Sequence, residues 1–176
     1  MSQVNSTTSL SQIMADIDLG PTGSIQFLFA KLQLAQSQIC KNQAESYMNQ
    51  IELIQEEQEL CAKMIEEARK LQNEASSQDA TGKDKKTTAM SQEMKDFFDA
   101  RGLSYDTDGN DNLHYQEQWD YNLKSLTNYQ EQIGNQTQTL MIYLQDFIGQ
   151  YNSYQEGASS AISNATQTLR AIAKGQ

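Results

Sequence analysis

The chain has little of what compact enzymes are built from. Proline occurs once, as Pro21, histidine once, as His114, and aromatic side chains make up 8% of the 176 residues. The mean hydropathy is −0.69. A chain this poor in apolar side chains buries a narrow seam between helices rather than a thick layered core. The sequence around His114 offers no Ser-His-Asp, Cys-His or HExxH arrangement, and no glycine-rich phosphate loop occurs, so we expect no enzyme.

Positive charge and long apolar runs are also scarce. The net charge is −10, and the densest basic group, Lys83, Lys85 and Lys86, lies in a polar stretch. An acidic surface repels phosphate backbones, so we expect no nucleic-acid partner. No apolar run is long enough to span a bilayer, and the N-terminus lacks a Sec signal peptide. We therefore expect synthesis in a cytoplasm, and a flexible segment over residues 1–23 whose polar first part, Met1 to Gln12, is disordered.

The two cysteines, Cys40 and Cys61, lie on one predicted helix. Because a helix rises about 1.5 Å per residue, their separation in sequence puts them roughly 30 Å apart, too far for a disulfide within that helix. No second Cys or His lies near either one. We expect both to be reduced, half-buried small apolar residues without a metal.

The first long helix is predicted over residues 24–76. Gly20 and Pro21 break the chain, Ser24 can cap a helix, and from Ser24 onward neither glycine nor proline occurs until Gly82. Apolar residues then alternate at steps of four and three, with a change of register near 40–44. This spacing is typical of a coiled-coil seam.

The second long helix is predicted over residues 115–176. From Trp119 onward, apolar residues recur every seven positions, with a second set offset by four, for about eight heptads. Gly134, Gly149 and Gly157 each disfavour such a helix by about 1 kcal/mol, so we expect bends or close neighbours there.

Residues 77–114 separate the two helices. A polar linker without apolar anchors comes first, followed by a short helix from Ser91 to Ala100 that ends at Gly102, and by a loop rich in Asp and Asn. The fold class predicted is all-α: a long antiparallel two-helix coiled-coil hairpin with a small, irregular and partly helical middle segment.

Both long helices carry more apolar surface than one seam can cover. Between Glu131 and Asp146 the chain has no charged residue, and Met141, Tyr143, Ile148, Ile162 and Leu169 lie off the main seam. A helix that is apolar on more than one face packs against more than one neighbour. We therefore predict self-association, with burial against the middle segment as the alternative. The residues predicted to carry self-association are Phe27, Leu28, Leu32, Ile39, Ile51, Ile54, Ile133, Leu140, Leu144, Phe147, Tyr151, Tyr154 and Ile162.

The loop from Asp106 to Glu117 resembles a 12-residue calcium loop. Asp106, Asp108 and Asn110 occupy ligand positions 1, 3 and 5, and Glu117 occupies position 12. Position 6, where the sharp turn requires Gly, holds Asp111. The alternative is an acidic turn that leads into the last helix, and calcium is the one cofactor for which the sequence offers candidate ligands.

Three segments resemble the filament and needle-extension proteins of bacterial type III secretion systems, of the EspA and SseB kind. LFAKLQLAQSQICKNQAESYMNQ resembles the start of their first long helix, and EMKDFFDARGLSYDTDG resembles their middle segment. The amide-rich stretch from Asn128 to Ala165 resembles their C-terminal helix. The cysteines and the calcium-like loop fall outside this pattern.

The resemblance implies a virulence-associated protein that is exported without a cleaved signal and polymerises on the bacterial surface into a hollow conduit between needle and translocation pore. Residues 24–72 and 116–173 would form the wall, and residues 77–114 would face outward. Its partners would be itself, a dedicated secretion chaperone, and needle and translocon proteins. Three alternatives stay open: a needle-tip or translocon accessory protein, a cytoplasmic coiled-coil chaperone or adaptor, and a calcium-responsive binding module.

Overall fold

The computed structural model describes residues 9–18, 25–79 and 85–175. In chain order the elements are α1 (Leu10–Asp16), α2 (Ile25–Glu74), β1 (Thr88–Ala89), α3 (Gln92–Arg101), a 3-10 turn (Asp108–Asn110), β2 (Leu113–His114) and α4 (Gln116–Lys174). Helices α2 and α4 contain 50 and 59 residues and pack against each other as a hairpin. The predicted all-α fold class is confirmed.

The chain divides into two compact units. The central unit comprises Ile51–Thr139, and the terminal unit comprises Met1–Gln50 together with Leu140–Gln176. Each unit contains part of α2 and part of α4. Within each unit the two helices run antiparallel, because residues with higher numbers on α2 contact residues with lower numbers on α4. The pairs that show this are Ser37–Gln155 and Cys40–Gln150 in the terminal unit, and Gln58–Thr137 and Gln72–Asp120 in the central unit.

Helix α1 differs from the predicted flexible segment over 1–23. Ser9 caps it: the Ser9 hydroxyl accepts from the Gln12 backbone N–H, and the Gln12 side chain accepts from the Ser9 N–H, so two unpaired donors are satisfied. Ile13 is its buried residue. The polar residues Ser9 and Gln12 thus form a capping box, and Ile13 directly after them is an apolar anchor. The predicted cap at Ser24 and residues 1–8 lie outside the described residues.

The middle segment is more ordered than the predicted polar linker. Strands β1 and β2 pair antiparallel, with Thr88 opposite His114. Two-residue strands have too little periodicity to be recognised in a sequence. Helix α3 begins after the cap Ser91 and ends at Gly102, whose φ of +63° is the left-handed conformation that glycine adopts without strain. The predicted glycine stop is confirmed, and the end of the predicted linker is held by a buried polar residue, Thr88, with Met90 buried just after it.

The central unit is organised around a continuous apolar core. Helix α3 inserts Met94, Phe97 and Phe98 against both long helices, which contribute Met64 and Trp119 among others. The Trp119 indole N–H donates to the Thr88 hydroxyl at 2.7 Å, and that hydroxyl donates to the Leu71 carbonyl at 2.9 Å. A buried indole nitrogen is thereby satisfied, and β1 is held against both helices.

Candidate self-association surface

The buried seam of the terminal unit is made almost entirely of small side chains. Larger residues such as Phe147 are half-buried, and among the buried described residues of this unit Ile13 is the single large one. The others are Ala30, Ala35, Ser37, Cys40, Ala44, Ala158, Ala161 and Ala165. Each small side chain removes little apolar area from water, so this seam contributes much less burial than a seam of Leu, Phe and Trp.

One glycine of α4, Gly157, lies against a side chain of α2. A Cβ added at Gly157 would lie 2.9 Å from the Gln33 side-chain oxygen, which is too close for ordinary packing. Gly134 and Gly149 have open space instead. The prediction that the three glycines mark bends or close neighbours therefore holds as a close approach at Gly157 alone.

Polar groups cross the seam beside this contact. The Gln155 amide donates to the Ser37 hydroxyl at 2.8 Å, and that hydroxyl donates to the Leu34 carbonyl at 3.0 Å. The Cys40 thiol donates to the Gln150 side-chain oxygen at 3.8 Å. Burial, helped by the charge of Asp146, raises the pKa of the Cys40 thiol. The thiol stays protonated at neutral pH and acts as a small apolar residue, as the sequence predicts.

An aromatic cluster packs between α2 and α4 in the terminal unit. The Tyr47 ring on α2 lies 5.6 Å from the Phe147 ring and 5.7 Å from the Tyr143 ring, both on α4. These separations are typical of attractive aromatic pairs. Tyr143 is nevertheless 48% exposed, so the cluster also presents apolar surface to the outside.

Exposed apolar side chains concentrate in the terminal unit. Of the large apolar side chains that are exposed in the described residues, the central unit carries three: Leu53, Leu113 and Tyr121. The terminal unit carries Leu10, Ile25, Leu28, Phe29, Met48, Met141, Ile142, Tyr143, Ile148, Leu169 and Ile172. Single exposed apolar residues need no explanation, but a concentration on one unit marks an interaction surface.

Two apolar grooves lie along this surface. One, of about 470 Å³, is lined by Ile25 and Phe29 of α2 and by Gly157 and Ala161 of α4. The other, of about 330 Å³, runs between Met48 and Ile148. The charges near the second groove are those of Lys41 and Glu45, whose side chains form an exposed ion pair at 3.7 Å.

The structure separates the thirteen predicted self-association residues into three groups. Ile51 and Ile133 are buried, and Ile54 packs against the core of the central unit, so within one chain these three have no free face. Leu28 is 53% exposed. The remaining nine are half-buried in the terminal unit: Phe27, Leu32, Ile39, Leu140, Leu144, Phe147, Tyr151, Tyr154 and Ile162.

Sequence reasoning missed two of the most exposed residues. Ile142 and Met48 are 65% and 55% exposed. The heptad pattern selects residues that face the partner helix in the same chain, which is why it passed over these two. The signal that finds them is an apolar residue off the heptad positions inside a charge-poor stretch, and it had already singled out Met141, Tyr143 and Ile148.

In the central unit, Glu57 and Arg101 form a half-buried ion pair. The Arg101 guanidinium donates two hydrogen bonds to the Glu57 carboxylate, one of them at 2.7 Å, and the Tyr129 hydroxyl donates to it at 2.8 Å. These hydrogen bonds, that from Arg101 foremost, lower the pKa of Glu57. Arg101 also lies 3.7 Å from the Phe97 ring centroid. This arrangement fixes α3 on α2 and α4, which is a structural role.

Of the four predicted calcium ligands, Glu117 has other hydrogen-bond partners in the structure, and the side chain of Asn110 lies outside the described residues. The Glu117 carboxylate accepts hydrogen bonds from the Ser77 hydroxyl and the Gln78 backbone N–H, and these contacts lower its pKa. An Asp106 oxygen lies 3.4 Å from the His114 ring. Asp108 is exposed. In the described part of the chain, no group of three or more His, Cys, Asp and Glu side chains is arranged to hold a metal ion. Calcium binding stays a prediction.

His114 is buried rather than placed in an open loop. It is 1% exposed, and its ring lies 5.0 Å from the Trp119 ring in an edge-on arrangement. Burial lowers the pKa of His114, although Asp106 and Asp111 act in the opposite direction. The imidazole is therefore neutral at pH 7 and part of the core packing.

Comparison with known proteins adds no relative. No family model, curated protein or solved structure matches the chain. Among the described residues, no helix is long and apolar enough to cross a membrane.

Proposed function

We propose that this protein is a secreted, self-polymerising subunit of a type III secretion filament, in which copies form a conduit between needle and translocation pore. The observation that carries the proposal is the concentration of exposed apolar side chains on the terminal unit, with Ile142 on α4 65% exposed. Such a surface is costly in water and is stabilised when a partner covers it.

The charge distribution favours a second copy as that partner. A chain with net charge −10 repels its own kind, so copies associate through surface that carries no charge. The stretch of α4 between Glu131 and Asp146 meets this condition, and beyond it the described part of α4 carries charge at Glu156, Arg170 and Lys174. Its exposed Gln, Asn and Thr side chains can hydrogen-bond without like-charge repulsion.

The secretion context of the proposal comes from the sequence resemblance. The two long helices and the short capped helix between them agree with the architecture that this resemblance implies. Export, the chaperone, and the needle and translocon partners belong to the proposal on that ground alone. A tip or translocon accessory protein and a cytoplasmic adaptor are the competing interpretations.

The test is to remove the purified chain from denaturant and examine it by electron microscopy and sedimentation. The proposal predicts long filaments for the natural sequence and none for Ile142→Asp. Leu53→Asp is the matched control, because Leu53 is also 65% exposed but belongs to the central unit, and it should polymerise normally.

The competing interpretations give different results in the same experiment. A closed small oligomer would indicate a tip protein, and a concentration-independent monomer or dimer would contradict polymerisation. The cytoplasmic-adaptor interpretation is tested by looking for the protein in culture supernatants of a secretion-competent strain and an export-deficient strain. An adaptor stays with the cells in both strains, whereas an exported subunit reaches the supernatant of the first.

A further inference from the structure

The two long helices carry, at one level of the terminal unit, an exposed apolar projection and an apolar groove on different sides. The projection is Ile142, at 65% exposure. The groove is lined by Lys41, Ala44, Glu45 and Met48 of α2 and by Ile148, Tyr151 and Asn152 of α4. The α2 residues follow the spacing i, i+3, i+4, i+7, so they form one continuous face of that helix.

Helical geometry places the projection away from the groove. Successive residues of an α-helix are rotated by about 100°, so Ile142 points about 120° away from Ile148 and about 180° away from Tyr151. One molecule therefore cannot insert its own Ile142 into its own groove. The two features are free at the same time, and each can meet a different neighbour.

The groove has an apolar interior and a rim that carries both charges. Ala44 is buried at 8% exposure, whereas Met48 and Ile148 are 55% and 44% exposed and form the walls. Lys41 and Glu45 face each other across 3.7 Å on the rim. An occupant therefore needs an aliphatic side chain for the interior, and at the rim polar groups that donate to a carboxylate and accept from an ammonium group.

The α4 segment around Ile142 has this chemistry. Gln138 and Gln145, at i−4 and i+3 from Ile142, lie on the same helix face and are both exposed. An amide side chain donates to a carboxylate and accepts from an ammonium group, so two glutamines complement Glu45 and Lys41. Asp146, at i+4, lies on the same face and is exposed, and its carboxylate can accept from Lys41.

We propose that Ile142 of one copy occupies the Met48–Ile148 groove of the next copy, with Gln138 and Gln145 bonded to the Lys41–Glu45 rim. This inference rests on the proposed function, and it identifies the two surfaces through which neighbouring copies would meet. Because projection and groove are different surfaces, the contact is head-to-tail, and each added copy leaves one projection and one groove free. Head-to-tail contacts that do not close into a ring produce open polymers.

The experiment separates the two halves by mutation and recombines them. Ile142→Asp removes the projection, and Met48→Glu puts a charge in the groove. Both residues are exposed, so both variants should keep the helical circular dichroism spectrum and the thermal midpoint of the natural chain. Asn49→Glu, at the exposed neighbour of Met48 outside the groove lining, is the matched control and should polymerise normally.

The expected result is that each variant alone sediments as a monomer, whereas an equimolar mixture forms a 1:1 dimer and nothing longer. The dimer forms because one intact groove meets one intact projection. The inference is overturned if Met48→Glu polymerises like the natural chain, or if the mixture of the two folded variants stays monomeric. In both cases, filaments of the natural chain would leave the proposed function standing. A natural chain that stays monomeric would contradict both.

Discussion

The central and terminal units use the same two helices but bury different amounts of apolar surface. In the central unit, Trp119, Phe98 and Leu126 are fully buried around α3. In the described part of the terminal unit, the buried residues are alanines, one serine and one cysteine, with Ile13 of α1 added, and larger side chains such as Phe147 are half-buried. A heptad pattern alone therefore does not distinguish a core that buries its apolar side chains within one chain from a seam that leaves apolar side chains exposed.

The third element explains the difference. Helix α3 covers the surplus apolar surface of α2 and α4 in the central unit with Met94, Phe97 and Phe98. Among the described residues of the terminal unit, the corresponding extra element is α1, which has seven residues and one buried side chain. The central unit therefore buries most of its large apolar side chains, whereas the terminal unit keeps many of them exposed.

The largest effect that distinguishes the two units is expected from matched leucine truncations on α4. Leu126 is 0% exposed in the central unit, so Leu126→Ala should lower the free energy of unfolding by about 2–5 kcal/mol. Leu144 is half-buried in the terminal unit, and Leu144→Ala should cost about 1 kcal/mol. Urea titrations followed by circular dichroism measure both.

The fluorescence of Trp119 sharpens this experiment, because it is the single tryptophan of the chain and lies in the central unit. Leu126→Ala should shift the fluorescence transition to lower urea, whereas Leu144→Ala should leave it nearly unchanged. Equal shifts for the two variants would remove the distinction between the units.

A smaller effect is expected at the Glu57–Arg101 pair. Glu57→Ala leaves Arg101 and Tyr129 without their acceptor and should cost about 1.5–3 kcal/mol, the range for hydrogen bonds to charged groups. The exposed pair Lys63–Glu93, at 2.8 Å, is the control, and Lys63→Ala should change stability little. Thermal or urea unfolding of both variants measures the difference.

The same pair gives a pH dependence with a definite sign. The pKa of Glu57 is lower in the folded chain than its ordinary value of 4.5, so the folded state favours the ionised form. This contribution is present above pH 4.5 and is lost as the pH falls through the lower pKa of the folded state. The stability difference between the natural chain and Glu57→Ala should therefore shrink in acid. A difference that stays constant from pH 7 to pH 3 would contradict the assignment.

The sequence predicted the large elements well because their signals are long. Eight heptads without proline define α4 to within one or two residues, and Gly102 ends α3 as predicted. The strands β1 and β2 and the helix α1 were missed, because two to seven residues contain too little periodicity. Their structure depends on tertiary partners such as Trp119 for Thr88.

The candidate site was predictable in location but not in its residues. The charge-free stretch between Glu131 and Asp146 contains Met141, Ile142 and Tyr143, which the structure leaves exposed. The heptad rule then selected Leu144 and Phe147, which are half-buried, and passed over Ile142. Which apolar residues stay exposed depends on what covers each face, and that depends on the position of α1 and α3, which the sequence pattern does not give.

Hydrogen–deuterium exchange before and after assembly tests the central claim most directly. In the free chain, we expect amides of the terminal unit to exchange faster than those of the central unit, because they are supported by less burial. On assembly, peptides that cover residues 25–50 and 138–174 should gain protection, while peptides that cover residues 51–130 stay unchanged. Protection gained mainly in the central unit, with the terminal unit unaltered, would contradict the account.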